Sequence, residues 1–294
     1  MQFGTMVHFE TGNLNIEERF SRLREYGIPT CQLCSWTPKV FTPEHAERIA
    51  RAAAAYGIRI SAFWCGYEGP RVWNFYEGQR TLGLVPEEWR QTRIRNLCDG
   101  ADFARQISES PSYPFPPITD IVTHIGFIPE NPYDLAFMPL CEAIRTVADH
   151  LAASGQVLLF ETGQETPVTL LRCFETVGRP NLGVNIDTAN LILYGKANPV
   201  DALDILGPHI RGVHAKDGLY PVNGHELGRE VPIGKGKVDF PAFFRRLKEF
   251  DYDGAITIER EIGNPEELDA IIAARDYLAA VWRQTDEITS SKHI

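Results

Sequence analysis

Several things are scarce or missing in this 294-residue chain, and each absence closes off a class of protein. No run approaches the ~18–20 apolar residues that a membrane span needs. The opening MQFGTMVHFE shows no basic segment followed by an apolar one, so no signal peptide is expected and a cytoplasmic location is. Six cysteines are scattered through the chain, which reads as reduced thiols rather than a disulfide framework. Basic residues are outnumbered, 29 against 39 acidic, for a net charge of −10. No stretch supplies the positive footprint of a nucleic-acid binder, and polyanionic partners are disfavoured. GxGxxG is absent, as are a Walker motif, low-complexity tracts and any linker long enough to split the chain.

What is present is an alternation of strand-like and helix-like segments, repeated eight times. Strands are expected at Gly4–Phe9, Thr30–Trp36, Ile58–Trp64, Ile118–Gly126, Val157–Phe160, Leu182–Ile186, Ile210–Ala215 and Ala255–Ile258. Helices lie between them. One is announced by Thr42-Pro43-Glu44 and closed at Gly57; the last is expected over Pro265–Trp282, before a polar tail at about 284–294. Eight such units in this length predict an α/β fold, a (β/α)8 TIM barrel, as a single domain over 1–294. A glycine- and aromatic-rich stretch, Gly66–Val85, interrupts the pattern and suits a lid or a subunit contact.

Residues two apart on a barrel strand point the same way. On the fifth strand Val157, Leu159 and Glu161 share a face; on the sixth, Gly183, Asn185 and Asp187; on the seventh, Gly212, His214 and Lys216; on the eighth, Thr257, Glu259 and Glu261. The opposite faces are apolar throughout. The inward faces turn polar toward the C-terminal end, where barrel enzymes carry their chemistry. Three carboxylates and an imidazole converging there would repel one another without a cation. Glu161, Asp187, His214 and Glu259 are therefore predicted to hold a divalent metal. Hard oxygens with one imidazole suit Mn²⁺ first, with Mg²⁺, Co²⁺ and Zn²⁺ as other fits.

FETGQET, GVNIDTANLILYG, VHAKDG, EVPIGKGKVDF and YDGAITIEREI resemble the xylose isomerase-like TIM barrels, in their sugar phosphate isomerase/epimerase branch. The resemblance implies the same four metal ligands. In ketose 3-epimerases of that branch, it further implies that the two glutamates flank the substrate and exchange its proton. Two positions depart from the epimerase pattern. Asn190 stands where a histidine often follows the strand-six aspartate, and Tyr220 where an arginine tends to follow the metal histidine.

The expected activity is metal-dependent isomerisation or epimerisation of a keto-sugar or related polyol, with Glu161 and Glu259 as catalytic groups removing the proton α to a carbonyl. The alternatives are a dehydratase acting through the same enediolate and, less favoured by the charge, a phosphodiesterase like the apurinic endonucleases. His124, Glu165, Asn190, Lys216, Trp36 and Trp64 are expected substrate contacts, the tryptophans by stacking on a sugar ring. For each a bland role competes: core packing for His124, His8 and the tryptophans, a salt bridge for Lys216 with Asp217, a helix-dipole contact for Glu165. Cys31 and Cys34 spell CxxC but should face opposite sides of a strand, so no redox or zinc role is expected of them. Arg229, Lys235 and Lys237 in GREVPIGKGKVD could cradle an anion, with Glu230 pointing toward substrate. The partner is a small carbohydrate rather than nucleic acid or membrane, and a homo-oligomer is left open.

Overall fold

Outward Val, Ile, Leu and Phe on each strand need cover, and the amphipathic segments that follow supply it. The computed structural model describes residues 1–263 and 268–290, with side chains through residue 285. Strands β1 (Phe3–His8), β2 (Thr30–Ser35), β3 (Arg59–Cys65), β4 (Asp120–Thr123), β5 (Val157–Glu161), β6 (Leu182–Asp187) and β7 (Ile210–Ala215) come first. A small antiparallel hairpin, β8 (Asp217–Leu219) with β9 (Arg229–Val231), then precedes the last barrel strand, β10 (Ile256–Ile258). The barrel closes in the order β1-β10-β7-β6-β5-β4-β3-β2, every pairing parallel. The (β/α)8 reading is thereby borne out; the hairpin and two one-turn helices, Gly78–Thr81 and Asn190–Leu193, were not anticipated.

Helix starts are written into the sequence by a repeated device. Thr42, Thr166, Asn198 and Asp239 each accept a backbone N–H of the following turn, and Pro43, Pro167, Pro199 and Pro241 follow in the first turn. The last helix runs over Leu268–Ser290, so it continues past Trp282 into the stretch expected as a tail. Its expected first residues at 265–267, and 291–294, lie outside the described residues. No helix among the described residues is long and apolar enough to cross a membrane.

Alternation partitions the interior into two cores. Leu158, Phe160, Val184, Ile186, Val213, Ala215, Ile256 and Ile258 are buried between strands and helices. Cys34, Ala62, Trp64, Val122 and Leu159 fill the barrel itself. Cys31 joins the first group and Cys34 the second, so the two cysteines do face opposite sides.

Candidate metal centre

The polar residues lie above the inner core, toward the C-terminal strand ends. Strand register sets their heights: Asp187 pairs with His214, and Thr257, two residues before Glu259, pairs with His214 from the other side. Glu161, Asp187, His214 and Glu259 each present one ligand atom, and all four atoms lie within 4.8 Å of one another. The four residues named from sequence are thus brought together.

The imidazole orientation can be derived. His214 is fully buried, and its Nε2 lies 2.9 Å from the Gln32 side-chain oxygen. That oxygen can only accept, so Nε2 carries the hydrogen. Gln32 is held in turn by donating to Asn185 Oδ1 at 3.0 Å, and Asn185 has room because Gly212 opposite it has no side chain; a Cβ there would meet Asn185 Oδ1 at 2.2 Å. His214 Nδ1 then faces Glu161 at 3.2 Å, Glu259 at 3.4 Å and Asp187 at 3.9 Å. A lone pair turned toward three carboxylates is repulsive unless a proton or a cation sits between them. The outer Asp187 oxygen Oδ2 is buried and makes no hydrogen bond, its near neighbour being the Lys216 ammonium at 3.2 Å, whereas Oδ1 accepts from the Ala189 and Asn190 amides at 2.8 and 2.6 Å. An imidazole held by its far nitrogen and three converging carboxylates are a donor set that fits a divalent metal.

Charge in the site follows the same geometry. Burial works against ionisation of Glu259, but Lys216 and His214 outweigh it and hold this carboxyl well below the usual range. Burial likewise opposes ionisation of Glu161, and His124 and His214 bring it below its ordinary value. Asp187 goes the other way: burial, with Glu259 and Glu161 adding repulsion, pushes it well up against the pull of Lys216. Burial disfavours the His214 cation, yet Glu161 and Glu259 raise it well above an ordinary imidazole. Without a cation, the cluster is stable only by keeping protons.

The remaining expected site residues divide. Trp64 donates its indole N–H to Glu161, Asn190 Nδ2 donates to Glu161 at 3.3 Å, and His124 Nε2 stands 3.6 Å from the same carboxylate. Lys216, with its side chain fully buried, reaches Glu259 at 2.8 Å, Glu261 at 3.0 Å and Asp187 at 3.2 Å. Beside the cluster opens a cleft of about 360 Å³ whose walls include Trp36, Trp64, Arg71, Trp73, His124 and Glu259. Trp36 packs on Trp64 at 4.6 Å, and Arg71 lies over Trp36 at 4.3 Å. Trp73 and Arg71 come from the Gly66–Val85 stretch, which is a wall of the cleft.

Glu165 is not in that wall. It is buried, and burial pushes its carboxyl up to about 8 against the pull of nearby backbone amides. Asp217 does not orient Lys216; its carboxylate accepts the amides of Gly218, Gly234, Gly236 and Val238 at 2.8–3.1 Å. The glycine amides of the expected anion cradle are therefore filled by the protein's own carboxylate. Glu230 accepts the Glu261 amide at 3.0 Å, and Tyr220 turns outward to the Ala197 carbonyl at 3.3 Å. Gln32 was missed. Its signal was available: a polar residue between Thr30 and Cys34 on the inward face of a strand.

A family model described as xylose isomerase-like TIM barrel matches residues 20–281. The crystal structure of a xylose isomerase domain protein from Planctomyces limnophilus is 30% identical with a TM-score of 0.83, over 97% of this chain and 99% of that one. A Haemophilus influenzae protein, named provisionally as an L-ribulose-5-phosphate 3-epimerase, is 36% identical over 44% of this chain and 47% of its own length. An L-ribulose 3-epimerase from a Methylomonas species is 30% identical over 50% of this chain and 49% of that protein. The chain spans about half the length of these curated relatives.

Proposed function

The chain belongs to the xylose isomerase-like TIM-barrel family, and on that footing we propose that it is a divalent-metal-dependent isomerase or epimerase of a keto-sugar or related polyol. The observation that carries this reading is the convergence of Glu161, Asp187, His214 and Glu259 beside an aromatic-walled cleft. The matched curated relatives named for ribulose epimerisation make a ketose the first substrate class to try.

When bound by these four residues, a divalent cation supplies Lewis-acid polarisation of a carbonyl and its neighbouring hydroxyl. The chain's own groups handle the proton. Glu259 opens onto the cleft, its side chain 13% exposed against 1% for Glu161, so it meets a substrate first. Kept ionised by Lys216 and His214, it accepts the proton α to the carbonyl, leaving an enediolate. Glu161 is held from three sides by Trp64, Asn190 and His214. Its position across β6 and β7 from Glu259 lets it, after taking up a proton from solvent, deliver that proton to the other face and invert that carbon, while Glu259 gives its own proton to solvent. Trp36 and Trp73 offer apolar ring faces to sugar C–H groups.

A second reading is dehydration through the same enediolate, whose negative charge the Lys216 ammonium, 2.8 Å from Glu259, would offset. Both readings are tested by metal analysis of the purified protein followed by a keto-sugar panel in D₂O. Deuterium entering the α carbon with mass otherwise retained marks epimerisation or isomerisation; loss of water marks the lyase. Glu259→Gln should lower exchange by roughly 10²–10⁴-fold. Undiminished exchange in that variant rules out Glu259 as the base.

A further inference from the structure

We propose that His8, Glu10 and Cys34 form a second divalent-cation site, of zinc type, at the C-terminal ends of β1 and β2. Each residue offers one ligand atom, and the three atoms lie within 4.8 Å of one another. The strands dictate this grouping. His8 is paired with Cys34 in parallel register, and Glu10, two residues beyond His8, returns to the same side. The backbone is pinned where the donors leave it: Phe9 N–H donates to the Cys34 carbonyl at 2.8 Å, and Arg19 donates to the His8 carbonyl. His8 Nδ1 and Glu10 Oε1 are 3.7 Å apart, too long for a hydrogen bond. Ligands sharing one tetrahedral zinc lie roughly 3.3–3.8 Å apart.

Donor chemistry separates this site from the four-residue centre. That centre is oxygen-rich and has no sulfur, whereas thiolate, imidazole and carboxylate together favour zinc over manganese or magnesium. Cys34 is 2% exposed and packed among apolar residues of the inner core, where a bare thiolate is unfavourable and a metal-bound one is not. On binding, the Cys34 S–H bond breaks, its proton leaves to solvent, and the sulfur–metal bond forms. Thiolate and Glu10 carboxylate then neutralise the dication. His8 and Cys34 line the same cleft as Glu259, so a cation can enter from solvent. Arg71, which balances part of the Glu10 charge, is engaged with the Trp36 ring and the Tyr67 carbonyl at 3.2 Å.

Titrating the chelator-treated protein with Co²⁺ tests this directly, because only a cysteine-bound cobalt shows thiolate-to-metal charge-transfer absorption. Two equivalents should bind and the band should appear with one of them. Cys34→Ser should abolish the band and leave one equivalent; His8→Ala, at the partly exposed rim, should weaken the band-forming step at least tenfold. Far-ultraviolet circular dichroism confirms that both variants fold. Absence of the band in the wild-type protein, or a band unaffected by either substitution, overturns the proposal. Failure of the four-residue centre would instead remove the spectrally silent equivalent and leave the band in place.

Discussion

Gln32 has no acid, base or nucleophile to offer, yet it decides which nitrogen of His214 is free. Replacing it with methionine keeps the volume and removes the acceptor. The imidazole would then lose its preferred tautomer and its fixed plane, and metal affinity should fall about 10–100-fold, read by isothermal titration. An unchanged affinity would show that strand packing alone orients the ring. The same scale shows what could be read from residue types. Acidic and imidazole side chains in phase at four strand ends were legible, because period-two alternation is a local rule. The partner of His214 was not, since Gln32 and His214 lie on strands that are not neighbours in the barrel and meet only across its interior.

At the scale of elements, the Gly66–Val85 stretch is anchored by two glycines set back to back. Gly83 has φ +67° and Gly126 φ +94°. A Cβ on Gly83 would fall 1.8 Å from the Ile125 carbonyl oxygen, and the neighbouring Leu84 N–H donates to that same carbonyl at 2.9 Å. Tyr67 adds its hydroxyl, accepting the Gly83 amide at 2.7 Å. Gly83→Ala meets both positive φ and backbone contact, so it should cost about 2–4 kcal/mol in urea denaturation and loosen the wall that carries Arg71 and Trp73. A loss under ~1 kcal/mol would mean that the crossing relaxes cheaply. Barrel strands and capped helices were legible at this scale. The hairpin of β8 and β9 was not, because its cause is the buried Asp217 carboxylate gathering amides from as far along the chain as Val238.

Across the whole molecule, buried charge sets the response to metal and to pH. Lys216 and a protonated His214 compensate the centre's carboxylates only in part, so chelation should lower the melting temperature and saturating Mn²⁺ should restore it. At a hundredfold excess over Kd the stabilisation is about 2.7 kcal/mol. A melting temperature indifferent to both treatments would argue against a metal in this centre. Glu165 contributes separately. Burial raises its carboxyl from the ordinary 4.5 to about 8 in the folded protein. The folded chain thus binds that proton more tightly, and its contribution to stability is complete below pH 4.5 and lost as pH rises through 8. Glu165→Gln should flatten the denaturation midpoint across that window, and a midpoint that still declines there by the wild-type amount would assign the decline to other groups.

Sequence alone determined the barrel and the four strand ends, since periodicity, caps and side-chain chemistry act over a few residues and are written where they act. Tertiary structure decided the rest: which nitrogen of His214 faces the carboxylates, that Asp217 fills its own loop, that Glu165 is buried outside the cleft lining, and that His8 and Glu10 meet Cys34. These depend on register and on contacts between distant segments. Closing the barrel sets both at once, and no local window of sequence contains them.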